Sequence, residues 1–136
     1  MRPFALLAAA LLLAGCSART AVASGPESPG PHRISATQAH QMMSELADFV
    51  ILDVRTPQEF GTRRIEGAVL LPYREIRAGA GYQLPDKTRV ILVYCQAGRR
   101  SAIAAGELAA LGYTNVYDFG GIDRWPYGTV SDRSQF

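Results

Sequence analysis

Val90-Ile91-Leu92-Val93-Tyr94-Cys95-Gln96-Ala97-Gly98-Arg99-Arg100-Ser101 decides how the chain is read. Its short, unbroken apolar start, rich in β-branched side chains, predicts a strand over residues 90–94 that is covered on both faces. Ser101 to Leu111, Ala-rich and closed by Gly112, predicts the helix that follows. Cys95 therefore stands at the carboxyl end of a strand, where parallel sheets place their ligands. A tight loop there turns successive backbone N–H groups toward the sulfur, and Gly98 permits the positive φ that such a curl needs. The N-terminus of the next helix adds partial positive charge, and Arg99 and Arg100 add full charges. Every one of these effects favours a thiolate over a thiol, which makes Cys95 a candidate nucleophile. The plainer alternative is an inert buried cysteine at a strand end.

Outward from that stretch the same alternation repeats. Phe49-Val50-Ile51-Leu52-Asp53-Val54 is another nearly continuous apolar run. Ala68-Val69-Leu70-Leu71 before Pro72 is a further one, and Asn115 to Phe119 leads into Gly120-Gly121. Between the runs stand helix signals. Ser35 and Gln38 form a capping box ahead of Ala39, Met42, Met43 and Leu46 at helical spacing, with Ile34 placed for a hydrophobic staple. Thr56-Pro57-Gln58-Glu59 supplies a Thr cap, a Pro in the first turn and a Glu at the third position. Strands alternating with helices predict an α/β domain whose parallel sheet is flanked by helices on both sides. Met42, Met43 and Trp125 read as core, and His40 as an exposed helix residue without a role. No internal repeat is present.

At 136 residues the chain holds one domain of ordinary size, and its 48% hydrophobic and 19% charged content is globular rather than disordered. The net charge of +2 is too small for a nucleic-acid surface, and the basic residues are scattered. Two cysteines exclude a disulfide scaffold, and no Cys/His cluster has zinc spacing, so neither a metal nor another cofactor is expected.

The front end reads separately. Met1-Arg2 gives a positive start, and Phe4 to Ala14 is an apolar run of eleven residues. That is about half of the roughly 20 that a transmembrane helix requires, so residues 1–15 read as a secretory signal. Leu13-Ala14-Gly15-Cys16 resembles the bacterial lipobox, which implies lipid attachment at Cys16 and an extracytoplasmic protein held to a membrane. Ser17 after the cysteine resembles the outer-membrane sorting pattern of Gram-negative lipoproteins, which implies a periplasm-facing domain. Residues 16–32, rich in Ser, Gly and Pro, read as a tether with a solvated His32 at its end. Residues 33–136 are left as the folded domain, enough for a core that hides about two-thirds of the unfolded surface. With Cys16 carrying lipid, Cys95 is the one free thiol, and no resolving cysteine exists for a dithiol cycle.

Several segments together resemble the rhodanese sulfurtransferases over nearly all of residues 33–136. Leu52-Asp53-Val54-Arg55 precedes Glu59-Phe60, and Ile65-Glu66-Gly67-Ala68 leads to Leu71-Pro72. The loop from Cys95 to Ser101 follows, and Gly120-Gly121-Ile122-Asp123-Arg124-Trp125 closes the domain. The resemblance implies a three-layer fold with a central, mostly parallel sheet. It also implies a ping-pong reaction in which Cys95 takes the outer sulfur of a donor such as thiosulfate as a persulfide. A thiophilic acceptor, cyanide or a thiol, small or on a protein, then removes it. Gln96, Ala97, Gly98, Arg99, Arg100 and Ser101 would form the substrate-binding loop, and Asp53, Arg55 and Glu59 a structural charge network beside it. Four residues separate Cys95 from Arg100, a ring sized for sulfur; related phosphatases use five and carry a His where this chain has Tyr94. Two features depart from the family pattern: Arg64 stands where many members have His, and Gln96 and Ala97 are neutral where some carry basic residues. The alternatives are a sulfur-carrier or binding module with weak turnover, and an anion-binding or phosphatase-like domain.

Overall fold

Five parallel strands form, the inner ones from short apolar runs sealed between helices. In the computed structural model, which describes residues 30–135, these are β1 (His32–Arg33), β2 (Val50–Asp53), β3 (Val69–Leu70), β4 (Ile91–Cys95) and β5 (Val116–Gly121). The helices are α1 (Ala36–Glu45), α2 (Pro57–Thr62), α3 (Ile76–Gln83) and α4 (Arg99–Ala110). The strand order is β1-β5-β4-β2-β3, with every pairing parallel and β4 in the middle. The signal, Cys16 and most of the expected tether lie outside the described residues.

Side-chain alternation along the strands divides the core into two layers. Val50, Leu52, Ile91, Val93 and Cys95 point toward α3 and α4, where Ile76, Ala80, Ala104, Ala105 and Leu108 bury against them. Ile51, Leu92, Tyr94 and Phe119 face the opposite way, onto Ala39 of α1, Ile65 and Ile122. Cys95 and Tyr94, adjacent in sequence, thus serve opposite faces of the sheet.

Both capping boxes form as expected. Ser35 and Gln38 bond reciprocally at α1, as do Thr56 and Glu59 at α2, where Pro57 opens the helix. Three elements differ from the sequence expectation. His32 is not a free tether end: with Arg33 it pairs to Tyr117 and Asp118 of β5, and its ring stacks on Tyr117 at 5.0 Å. Two residues next to Pro31 carry no periodicity, so this edge strand exists only because β5 offers unpaired backbone groups. Helix α4 begins at Arg99 rather than Ser101, because Gly98 (φ 106°) turns the chain directly into it. Helix α3 was not expected, since Gly79 and Gly81 lower its helix propensity. Packing decides it instead: a β-carbon at Gly79 would come within 2.8 Å of Leu71 Cδ1, so the missing side chain lets α3 lie against the sheet.

Candidate active site

Cys95 closes β4 and is 1% exposed, the one free cysteine among the described residues. Its Sγ accepts a hydrogen bond from the Gly98 amide at 3.0 Å. Gly98 adopts a left-handed conformation, the curl that aims this amide back at the sulfur and starts α4 one residue later. Among the hydrogen bonds of the described residues, this is the one amide that reaches Sγ. The α4 N-terminus adds partial positive charge beside it.

The loop is held from beneath by β5. The register between β4 and β5 slips after Val93–Asp118, so that Cys95 comes to lie opposite Gly121. A β-carbon on Gly121 would collide with the Gln96 carbonyl and sit 2.7 Å from Ala97 Cα, so only glycine lets the loop cross there. The Asp123 amide bonds the Gln96 carbonyl at 3.3 Å. Ser101 is fully buried, with its hydroxyl 3.1 Å from the Gly98 carbonyl and 3.4 Å from that of Gly120. It ties the first turn of α4 to the end of β5.

The charged residues divide into separate groups. Asp53 and Arg55 are both buried and bonded through several contacts, the shortest 2.7 Å from Arg55 Nη2 to Asp53 Oδ2. Burial opposes the charge on Arg55, but the Asp53 hydrogen bonds and charge outweigh it and raise its pKa. Tyr94 donates its hydroxyl to Asp53 at 2.7 Å and accepts from the Ile65 amide at 3.1 Å. Burial, with Asp53 adding to it, pushes that hydroxyl upward, so Tyr94 stays protonated as a donor. Arg55 also reaches the Arg63 carbonyl at 2.5 Å and the Gln96 amide oxygen at 3.4 Å. The buried pair is thus joined to the first loop residue after Cys95. Tyr94 is a member of this network that sequence reasoning missed, because its partners lie on β2 and at Ile65.

Arg100 is committed elsewhere. It grips Glu59 with two 2.8 Å hydrogen bonds, one from each terminal nitrogen, and so fastens α4 to α2. These bonds hold the Glu59 carboxyl at about 2, below its usual 4.5, with burial opposing and the Thr56 bonds assisting. Arg100 is raised in turn, first by Glu59 and, against burial, further by the charges of Glu59, Cys95 and Asp53. Arg99 is exposed and makes no such pair. A depressed carboxyl stabilises the fold above its unfolded value and ceases to as pH falls through the folded one. Glu59→Gln, which preserves the capping geometry, is therefore expected to cost about 1–2 kcal/mol at pH 7 for this partly exposed pair. The difference from wild type shrinks below about pH 4.5 and vanishes near 2. Urea titrations across that range measure it, and a pH-independent difference would contradict the assignment.

Residues 35–126 match the family described as Rhodanese-like domain. The chain belongs to that family. It is 37% identical over 71 residues to thiosulfate sulfurtransferase PspE of Escherichia coli, spanning 52% of this chain and 68% of that one. Against the chloroplastic thiosulfate sulfurtransferase 16 of Arabidopsis thaliana it is 36% identical over 110 residues, covering 73% of this chain and 90% of the relative. Among solved structures, a rhodanese with anions from E. coli superposes with TM-score 0.57 at 33% identity, covering 60% of this chain and 96% of that one. These relatives support a rhodanese-type sulfurtransferase.

Within the family frame, the Arg64 departure has a local role. Its guanidinium bonds Asp132 at 2.6 Å and the Phe60 carbonyl at 3.2 Å, and its backbone pairs with Val130. Arg64 clamps the C-terminal segment to the end of α2. Trp125 packs against Phe119 at 5.4 Å and is partly buried in the layer facing α1. His40 is exposed but stacks on Tyr127 at 3.8 Å. Among the described residues no group of His, Cys, Asp and Glu is arranged to hold a metal ion.

Proposed function

We propose that the protein moves sulfane sulfur from a donor such as thiosulfate to a thiophilic acceptor through a persulfide on Cys95. The single observation carrying this reading is the Cys95 sulfur at the end of β4, accepting the Gly98 amide at 3.0 Å where α4 begins. The thiolate attacks the outer sulfur of thiosulfate. The new S–S bond forms as the bond to the sulfonate sulfur breaks, and sulfite leaves with that electron pair. Thiosulfate, persulfide and departing sulfite are all anionic, so an amide, a helix N-terminus and the exposed Arg99 favour each stage without a metal. Arg100, paired to Glu59, acts mainly by holding α4 in place.

Intact-mass measurement of the full chain after thiosulfate treatment tests this directly. A gain of one sulfur, reversed by cyanide, is expected; a mass that never changes would overturn it. Prompt sulfur loading from a partner protein with no gain from thiosulfate would favour the carrier reading instead. That reading gains some support from relatives such as the adenylyltransferase and sulfurtransferase UBA4 of Meyerozyma guilliermondii, 33% identical over 98 residues, of which this chain covers 23%.

The domain is proposed to work outside the cytoplasm, facing the periplasm and anchored to the outer membrane by lipid on Cys16, as Leu13-Ala14-Gly15-Cys16 suggests. Two or more acyl chains anchor stably where a single one holds only marginally. Cys16→Ser is expected to shift the protein from the membrane to the soluble fraction; unchanged partitioning would remove the anchor from the proposal.

A further inference from the structure

We propose that the aromatic pocket on the α1 face of the sheet binds a small organic ammonium ion with an apolar body. The pocket is separate from Cys95. The buried Ile51 and Ile65 on its walls belong to the core layer facing α1, whereas Cys95 belongs to the layer beneath α3 and α4. Binding here does not depend on a persulfide.

The pocket encloses about 430 Å³, within the range of about 300–1,000 Å³ usual for small-molecule sites. Met43, Ile51 and Ile65 give it apolar surface, and Trp125 and Tyr127 give it aromatic walls. Those walls are fastened by the protein itself. Gly128 (φ 90°) turns the chain, and Arg64 and Val130 exchange backbone hydrogen bonds of 2.9 and 2.8 Å. Trp125 donates its indole N–H to the Gly128 carbonyl at 3.1 Å, and Tyr127 its hydroxyl to Thr37 at 3.3 Å. His40 stacks on Tyr127 and meets Trp125 edge-on at 5.9 Å, joining the three rings in one cluster.

Glu66 is the one acidic side chain on these walls, and among the described residues no lysine or arginine lines them. It is exposed, and among the described residues it forms no ion pair or side-chain hydrogen bond. The arginines just before it in sequence turn elsewhere: Arg63 to the Ile122 carbonyl and Arg64 to Asp132. With the indole and phenol donors spent on the frame, the pocket offers a ligand apolar surface, aromatic rings and one uncompensated negative charge. His40 and Thr129 add polar edges without a fixed charge. An ammonium ion uses all of these: the carboxylate attracts it, the ring faces complement its charge, and its apolar body covers Ile51 and Ile65. An anion would meet Glu66 as a like charge, and a neutral apolar molecule would leave Glu66 unused.

Trp125 is the single tryptophan of the chain and lines the pocket, so its fluorescence reports occupancy. The full chain in non-ionic detergent is titrated at about pH 7.5 with 2-phenylethylammonium, 2-phenylethanol and 3-phenylpropionate, which share a phenyl body and differ in charge. The ammonium is expected to saturate the signal below about 1 mM and to bind about fivefold tighter than the alcohol, with the anion weakest. Glu66→Gln is expected to abolish the preference for the cation and leave the melting temperature unchanged, because Glu66 has no partner to lose. Glu75→Gln removes the same charge from an exposed position at the start of α3 and is expected to retain the preference. Amide shifts on adding the ammonium are expected at Glu66, Gly128 and Thr129. No saturable signal, an ammonium bound no tighter than the alcohol, a preference that survives Glu66→Gln, or shifts confined to other residues would each overturn the site.

Discussion

Replacing Cys95 by serine is expected to reduce thiosulfate-to-cyanide sulfur transfer by about 10⁴-fold or more, the range in which loss of a covalent nucleophile falls. Serine occupies nearly the same space and can still accept the Gly98 amide, so the loop should persist. Its hydroxyl, however, does not ionise near neutral pH and no general base stands beside it, so it cannot attack the outer sulfur. The side chain sits among Ile91, Val93 and Ala104 in the layer beneath α4, so a hydroxyl there should cost about 1 kcal/mol. For a domain of this size that is about 4–8 °C of melting temperature. Activity measured well below the melting point therefore separates chemistry from stability. A Cys95→Ser protein retaining even a tenth of wild-type turnover would remove Cys95 from the reaction.

Asp53→Asn carries the largest expected stability effect. Asp53 is fully buried and accepts from the Arg55 guanidinium, the Arg55 amide and the Tyr94 hydroxyl. Asparagine keeps the shape but removes the charge, leaving a guanidinium that is 2% exposed without its counter-ion. Breaking one half of such a pair costs about 3–5 kcal/mol. Denaturant unfolding should show that loss, and the double variant D53N/R55M should lose less than the sum of its single changes. Additive losses would show that the two side chains are not coupled. Because Arg55 also reaches Gln96, turnover should fall several-fold even where the Asp53→Asn protein is fully folded, with no shift in the pH profile. The group acts by positioning the loop rather than by moving protons.

Much of the architecture was legible because its causes are local. The short, nearly continuous apolar runs at residues 49–54 and 90–94, rich in β-branched side chains, read as strands covered on both faces, and the Ser35 and Thr56 caps are read within four residues. The helix start after Cys95 was misplaced by two residues, since a positive-φ glycine lets a helix begin without a capping side chain. Helix α3 escaped notice because its cause is a close approach between Gly79 and Leu71, a contact that no window of sequence contains. Tyr94 illustrates the same limit. Its position ahead of Cys95 was plain, but its hydroxyl partners, Asp53 and the Ile65 amide, come from other segments.

By itself the sequence determined the α/β alternation, the place of Cys95 at a strand's end and the glycine that curls the loop, since each follows from periodicity or from the steric freedom of one residue. Only the tertiary structure decided how the arginines divide. Arg99 and Arg100 are neighbours of equal charge, yet Arg100 is consumed by Glu59 from another helix while Arg99 remains exposed. Arg33, from a strand with no sequence signature, comes to border the active loop. Coulomb attraction and bidentate geometry act over a few ångströms in space, and which charges reach that range is set by the packing of helices on the sheet rather than by order along the chain.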